Sequence, residues 1–118
     1  MPSSETAQAV SEYRVLLGAA LTVGVPPVEL HIQHWLSANC FGDHLTRSGL
    51  DLATRELVTF AFLVSLGGCD PQVRGQVKGN LKVGNDRGRL LDVLSQLLPF
   101  IGYPRTLNGL RALDEVTR

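Results

Sequence analysis

Charge of one sign is what this chain most plainly lacks: 11 lysines and arginines balance 11 aspartates and glutamates in 118 residues, for a formal net charge of zero. It carries no electrostatic footprint for nucleic acid or for an anionic membrane surface, which disfavours a polyanionic partner. Aromatic residues are scarce as well, at 6% of the chain against 44% hydrophobic residues. The core must therefore be built mainly from Leu, Val and Ala, with some of the apolar surface expected in a subunit interface. Cysteine occurs only at Cys40 and Cys69, which make no disulfide framework. With no secretory signal segment, a reducing cytoplasm is the expected compartment. No apolar run reaches the roughly 18 residues that span a bilayer. The longest, Leu57 to Leu66, is interrupted by Thr59 and Ser65. Gly-rich phosphate loops, Ser-His-Asp sets and nucleotide motifs are absent too.

What is present is helical punctuation. The length suits one domain, and no segment alternates convincingly with the period of a strand. Ser3 or Ser4 caps a first helix starting near Glu5, with Leu16, Leu17, Ala20 and Leu21 as its stripe and Gly24 as its stop. Pro26-Pro27 open a second helix, with Leu30, Trp35 and Leu36 as its buried side and Cys40 to Asp43 ending or bending it. Asp51 is placed to cap a third, Leu52 to about Leu66, so apolar that it is expected to be surrounded on all sides. Gly67-Gly68 end it, Asp70 caps the next with Pro71 in its first turn, and Gly84 stops that one. Asn85 or Asp86 caps a fifth helix closed by Pro99 and Gly102, and a last one follows Tyr103. The fold class is all-α, a single helical domain of about five or six helices. Gly75 and Gly79, four apart within one helix, suggest close approach of another backbone.

The stretch Arg55 to Asn85 holds the candidate chemistry. Glu56 lies in the first turns of an otherwise apolar helix, where desolvation would favour the neutral acid and suit proton transfer. The structural alternative is a carboxylate paired with Arg55 or another arginine. Cys69 precedes a helix N-terminus, where the dipole favours a thiolate, although a free cysteine is more often a small buried hydrophobe. His31 and His34 stand at i, i+3, yet no further ligand completes a metal set, so no metal or cofactor is expected.

Several separated motifs share an order with a known family. Phe41-Gly42-Asp43, then Leu50-Asp51-Leu52-Ala53-Thr54-Arg55-Glu56-Leu57, Leu66-Gly67-Gly68-Cys69, Asn80-Leu81-Lys82-Val83-Gly84-Asn85 and Gly102-Tyr103-Pro104-Arg105-Thr106-Leu107-Asn108-Gly109-Leu110 resemble the carboxymuconolactone decarboxylase family from about His31 to Val116. The resemblance implies an alkyl hydroperoxide reductase D-like helical domain over residues 31–118 that assembles with itself as a homo-trimer or homo-hexamer. Residues 1–30 would then be an N-terminal segment left from a first repeat. An echo at an offset of 60, Leu21/Leu81, Val23/Val83, Gly24/Gly84 and Leu30/Leu90, agrees with that.

The family includes decarboxylases of small lactone carboxylates and peroxidases that use a C-x-x-C pair, a Glu and a His. Here Gln72 stands at the second cysteine and Gln76 at the histidine, and an amide cannot move a proton near neutral pH. The expected site is a small pocket between the Leu52–Leu66 helix and the next, with Glu56 as acid/base and Cys69 on its wall. His44 is a substitute for the missing imidazole, and Cys40 a resolving partner for Cys69 if the fold brings them within about 7 Å. Three readings follow: proton transfer or decarboxylation of a small carboxylated or carbonyl substrate; a catalytically silent oligomeric or binding module; and a thiol-dependent, peroxiredoxin-type peroxidase acting through Cys69.

Overall fold

The computed structural model describes residues 30–118, all helix and connecting turn, with no strand among the described residues. The expected helix from Glu5 to Gly24, the Pro26-Pro27 opening and the first half of the internal echo lie outside the described residues. Helix α1, Leu30–Trp35, continues into a π-helix over Leu36–His44. Four helices then follow: α2 (Leu52–Leu66), α3 (Asp70–Lys82), α4 (Arg87–Ile101) and α5 (Tyr103–Thr117). No described helix is long and apolar enough to cross a membrane.

Helices α2 to α5 form the body. Phe60 and Val64 of α2, Val73 and Val77 of α3, Leu90 and Leu94 of α4, and Ala112 and Leu113 of α5 make one buried cluster. Aliphatic residues dominate it, as the composition requires. Gly109 of α5 allows a close approach: a Cβ there would stand 2.9 Å from Leu94 Cδ2 and 3.0 Å from Val64 Cγ1. Arg87 ties α4 to α5, donating to Asp114 Oδ1 and Thr117 Oγ1 at 2.7 Å each. Gly75 and Gly79 are both buried in α3.

The helix ends obey local chemistry. Asp86 accepts from the Arg89 N–H at 2.8 Å and is the true cap of α4. Asn85, the other candidate, turns inward instead. Gly84 has φ +94°, as a left-handed helix stop demands. Asp51 sits at the N-cap of α2 with extended backbone. Thr54 pulls its carboxyl below the ordinary value, although no well-aligned side-chain capping bond closes.

Several local expectations need correction. Cys69, not Asp70, is the N-cap residue of α3, and Asp70 is its first helical residue. Pro99 does not close α4, which runs on to Ile101 and ends at Gly102. Proline removes the donor that Ser95 O would otherwise take, and both residues lie on the exposed face, where solvent can serve that carbonyl. Leu30 and Trp35 are exposed rather than buried, so α1 rests on the body more loosely than its apolar pattern suggests. The segment from Cys40 to Asp43 does not break the helix. It widens it, with the Leu45 N–H bonded back to Cys40 O at 3.1 Å.

Helix α2 is not enclosed on all sides by the described residues. Glu56, Phe60 and Val64 point inward at i, i+4, i+8. Val58, Phe62 and Leu66, at the same spacing on another face, are 54, 61 and 55% exposed.

Candidate functional site

The first turns of α2 are knotted to the preceding loop by one side chain. Arg55 donates through Nε to Leu50 O at 2.7 Å, through Nη1 to His44 O at 3.0 Å, and through Nη2 to Arg47 O at 2.8 Å and Ser48 O at 2.9 Å. Its fork of donors therefore serves as a clamp for loop carbonyls, which five planar N–H groups do well. The Thr46 hydroxyl donates to Gly42 O and secures the other end of that loop. Together these bonds hold the end of the π-helix over the start of α2.

Beneath this clamp lies a cavity of about 240 Å³ lined by Cys40, His44, Leu45, Leu50, Arg55, Glu56, Val58, Thr59 and Gln76. Its floor is polar and buried: Glu56 is 2% exposed and Gln76 1%. Its rim is open, because Cys40, His44, Leu50 and Val58 are exposed. Cys40, His44 and Leu45 reach the same space because one wide turn of π-helix brings i, i+4 and i+5 to one side. A π-helical stretch beside a cavity is a frequent mark of a functional site.

Two buried asparagines brace the floor from behind. Asn80 Nδ2 donates to Glu56 O at 3.0 Å and to Gln76 O at 2.8 Å, joining the backbones of α2 and α3 where the two floor side chains arise. Asn85 Nδ2 donates to Asn80 Oδ1 at 2.9 Å and to Ala53 O at 2.8 Å. Both asparagines are buried, and each amide nitrogen donates to two carbonyl oxygens, so the network stiffens the site. The Thr59 hydroxyl is likewise satisfied by Arg55 O at 2.9 Å. Gln76 Oε1, by contrast, is buried with no hydrogen-bond partner.

The thiols differ in place but not in direction of shift. Cys40 has its pKa raised, chiefly by desolvation and then by the negative charge of Glu56, which sits across the cavity. Cys69 is also raised, by burial and then by the Asp70 carboxylate. Its Sγ–H donates to Leu63 O at 3.1 Å, which further favours the protonated form. At this helix start burial and a neighbouring carboxylate oppose the dipole and favour the thiol over the thiolate.

Of the residues singled out from the sequence, the structure brings Glu56, Gln76, His44 and Cys40 to one cavity. Cys69 is not among its lining residues. It packs against the core beyond the far end of α2, whose end at Leu66 lies about 15 Å along the axis from Glu56 at 1.5 Å of rise per residue. The expected Cys69 wall is therefore corrected, and Cys40 takes that position. Thr59 and Asn80 went unassigned, and Asn85 was expected only as a helix cap. A signal for the asparagine existed: Val73, Gln76, Val77 and Asn80 share the inward face of α3, and polar residues at such spacing demand buried partners. Among the described residues no group of three or more His, Cys, Asp or Glu side chains could hold a metal ion.

The floor and rim together offer a buried carboxylate, an acceptor amide, an imidazole and a neutral thiol around a space for one small molecule. Proton transfer is the chemistry such a set supports, since carboxylate and imidazole both exchange protons and the amide orients. No curated protein matches the chain. The model of the carboxymuconolactone decarboxylase family matches residues 31–115, which include every lining residue of the cavity. The chain belongs to the carboxymuconolactone decarboxylase family.

Proposed function

We propose that the cavity is the site of proton transfer on a small carbonyl or carboxylated compound, with Glu56 as the acid/base and decarboxylation as the reaction class. The observation that carries this reading is a nearly fully buried Glu56 on the floor of a 240 Å³ cavity whose rim is open. In the decarboxylation of a substrate with a carbonyl conjugated to the scissile position, the C–C bond to the carboxylate breaks and CO2 leaves. The electron pair is held as an enolate, and Glu56 in its acid form delivers a proton to carbon. His44 at the rim returns a proton to Glu56, the role that Gln76 cannot fill.

The test is a CO2-release and proton-exchange screen over small lactone carboxylates and keto acids, comparing the native chain with Glu56→Gln. A loss of about 100-fold or more is expected, the usual size of a general acid/base contribution. Turnover that survives Glu56→Gln unchanged removes the basis of the reading.

A second reading, a binding module without turnover, is favoured by Gln76, an amide buried where a proton carrier would serve catalysis. Clean turnover that depends on Glu56 rules it out. Self-association, as a homo-trimer or homo-hexamer, is supported by the exposed Val58, Phe62 and Leu66 stripe, whose rim-side member also lines the cavity. Sedimentation of Phe62→Glu as a smaller species than the native chain tests it; identical sedimentation removes that face from the interface.

A further inference from the structure

Gln76 Oε1 is the feature of the cavity that the proposed chemistry leaves unused. The residue is 1% exposed, it lines the cavity, and its amide oxygen meets no donor. A buried acceptor left in that state is uncommon, and it is tolerated where something enters to satisfy it. The neighbouring donors are occupied. Asn80 Nδ2 serves Glu56 O and Gln76 O. Asn85 Nδ2 serves Ala53 O and Asn80 Oδ1. The Arg55 guanidinium faces four loop carbonyls, and the Thr59 hydroxyl serves Arg55 O. His44, Cys40 and, in its acid form, Glu56 are the remaining lining residues able to donate, and none of them bonds to Gln76 Oε1.

We infer that Gln76 is a specificity-determining residue, and that the molecule which occupies the cavity carries a hydroxyl or N–H group that donates to Gln76 Oε1. This rests on the reading of the cavity as a small-molecule site, but not on Glu56 turning anything over. It narrows the substrate class to hydroxylated or N–H-bearing small carbonyl compounds. A site built around a buried acceptor rejects an analogue lacking the donor far more strongly than a purely apolar wall rejects a size change.

The experiment uses the full chain and two matched pairs: 2-pyrrolidinone against γ-butyrolactone, and α-hydroxy-γ-butyrolactone against α-methyl-γ-butyrolactone. Each is titrated by ligand-observed NMR against the native protein, Gln76→Met and Gln76→Glu. The donor-bearing member should bind about tenfold tighter or better to the native protein, a difference typical of one buried hydrogen bond. Gln76→Met should level each pair, and Gln76→Glu, which keeps an acceptor, should keep the order. Equal binding within both pairs, a preference that persists in Gln76→Met, or no binding by any of the four overturns the inference. So does a crystal of the complex in which an ordered water, and not the ligand, reaches Oε1. Donor preference retained in Glu56→Gln after turnover is lost leaves this inference standing. Level binding beside intact, Glu56-dependent turnover sinks it alone.

Discussion

The two ends of α2 bury their polar groups for different purposes. At the N-terminal end, Glu56 is buried beside open space, under a loop clamped by Arg55 and above a floor braced by Asn80 and Asn85. Just past the C-terminal end, Cys69 is packed against the core, its thiol spent on Leu63 O. Both sites desolvate an ionisable group, but of the two only Glu56 lines the 240 Å³ cavity. Burial alone is therefore a poor guide to chemistry, and burial next to a cavity is a better one.

The largest test of that contrast is activity. Glu56→Gln should lower turnover by about 100-fold or more, whereas Cys69→Ala should keep it within about threefold, because Cys69 does not line the Glu56 cavity. Equal losses in both variants would erase the distinction between the ends. Next in size is stability at the braced end. Asn80→Leu removes donors from two carbonyls and an acceptor from Asn85. It should cost about 3 kcal/mol in urea unfolding, since each stranded buried group costs about 1 to 3 kcal/mol. A loss under about 1 kcal/mol would show that water reaches the network.

At the packed end the matching probe is Gly109→Ala, which drives a methyl group to within 3 Å of Leu94 and Val64. It should destabilise by about 1 to 3 kcal/mol, the usual range for overpacking. No change would mean that α5 lifts away freely.

Thiol reactivity sharpens the comparison more gently. Both thiols are raised, so iodoacetamide should modify each more slowly near pH 8 than it modifies an unstructured cysteine. Glu56→Gln removes the negative charge that helps raise Cys40 and should speed its alkylation a fewfold, leaving Cys69 unchanged. Parallel changes at both cysteines would place Glu56 outside the Cys40 environment.

The smallest effect is on stability against pH. A thiol held above the ordinary value of 9.0 keeps its proton in the folded chain after the unfolded chain has released it. Its contribution is full below about pH 9 and is lost as pH rises through the raised value. Urea midpoints at pH 8 and pH 10 should differ, and Cys69→Ala should narrow the gap. A gap untouched by Cys69→Ala and by Cys40→Ala would assign it to other groups.

Much of the helical plan was readable from residues alone. Gly84, Gly102, Asp86 and the Pro71 and Pro104 starts act through the backbone conformation and donors of their own few residues, so they mark helix ends wherever the chain folds. The burial of Glu56 was legible for a similar reason, since it shares the i, i+4, i+8 line of Phe60 and Val64. The family too was visible, through ordered motifs rather than any single residue.

What no local pattern carries is which distant groups meet. Whether Arg55 would neutralise Glu56 or hold a loop, whether Cys40 or Cys69 would face the acid, and where Asn80 and Asn85 would point all depend on how α2, α3 and the π-helix pack. Those contacts join residues many positions apart, and each is chosen by competition among several buried polar partners. Helix starts and stops are settled within a turn of the chain, while a cavity exists only between elements that have already been brought together.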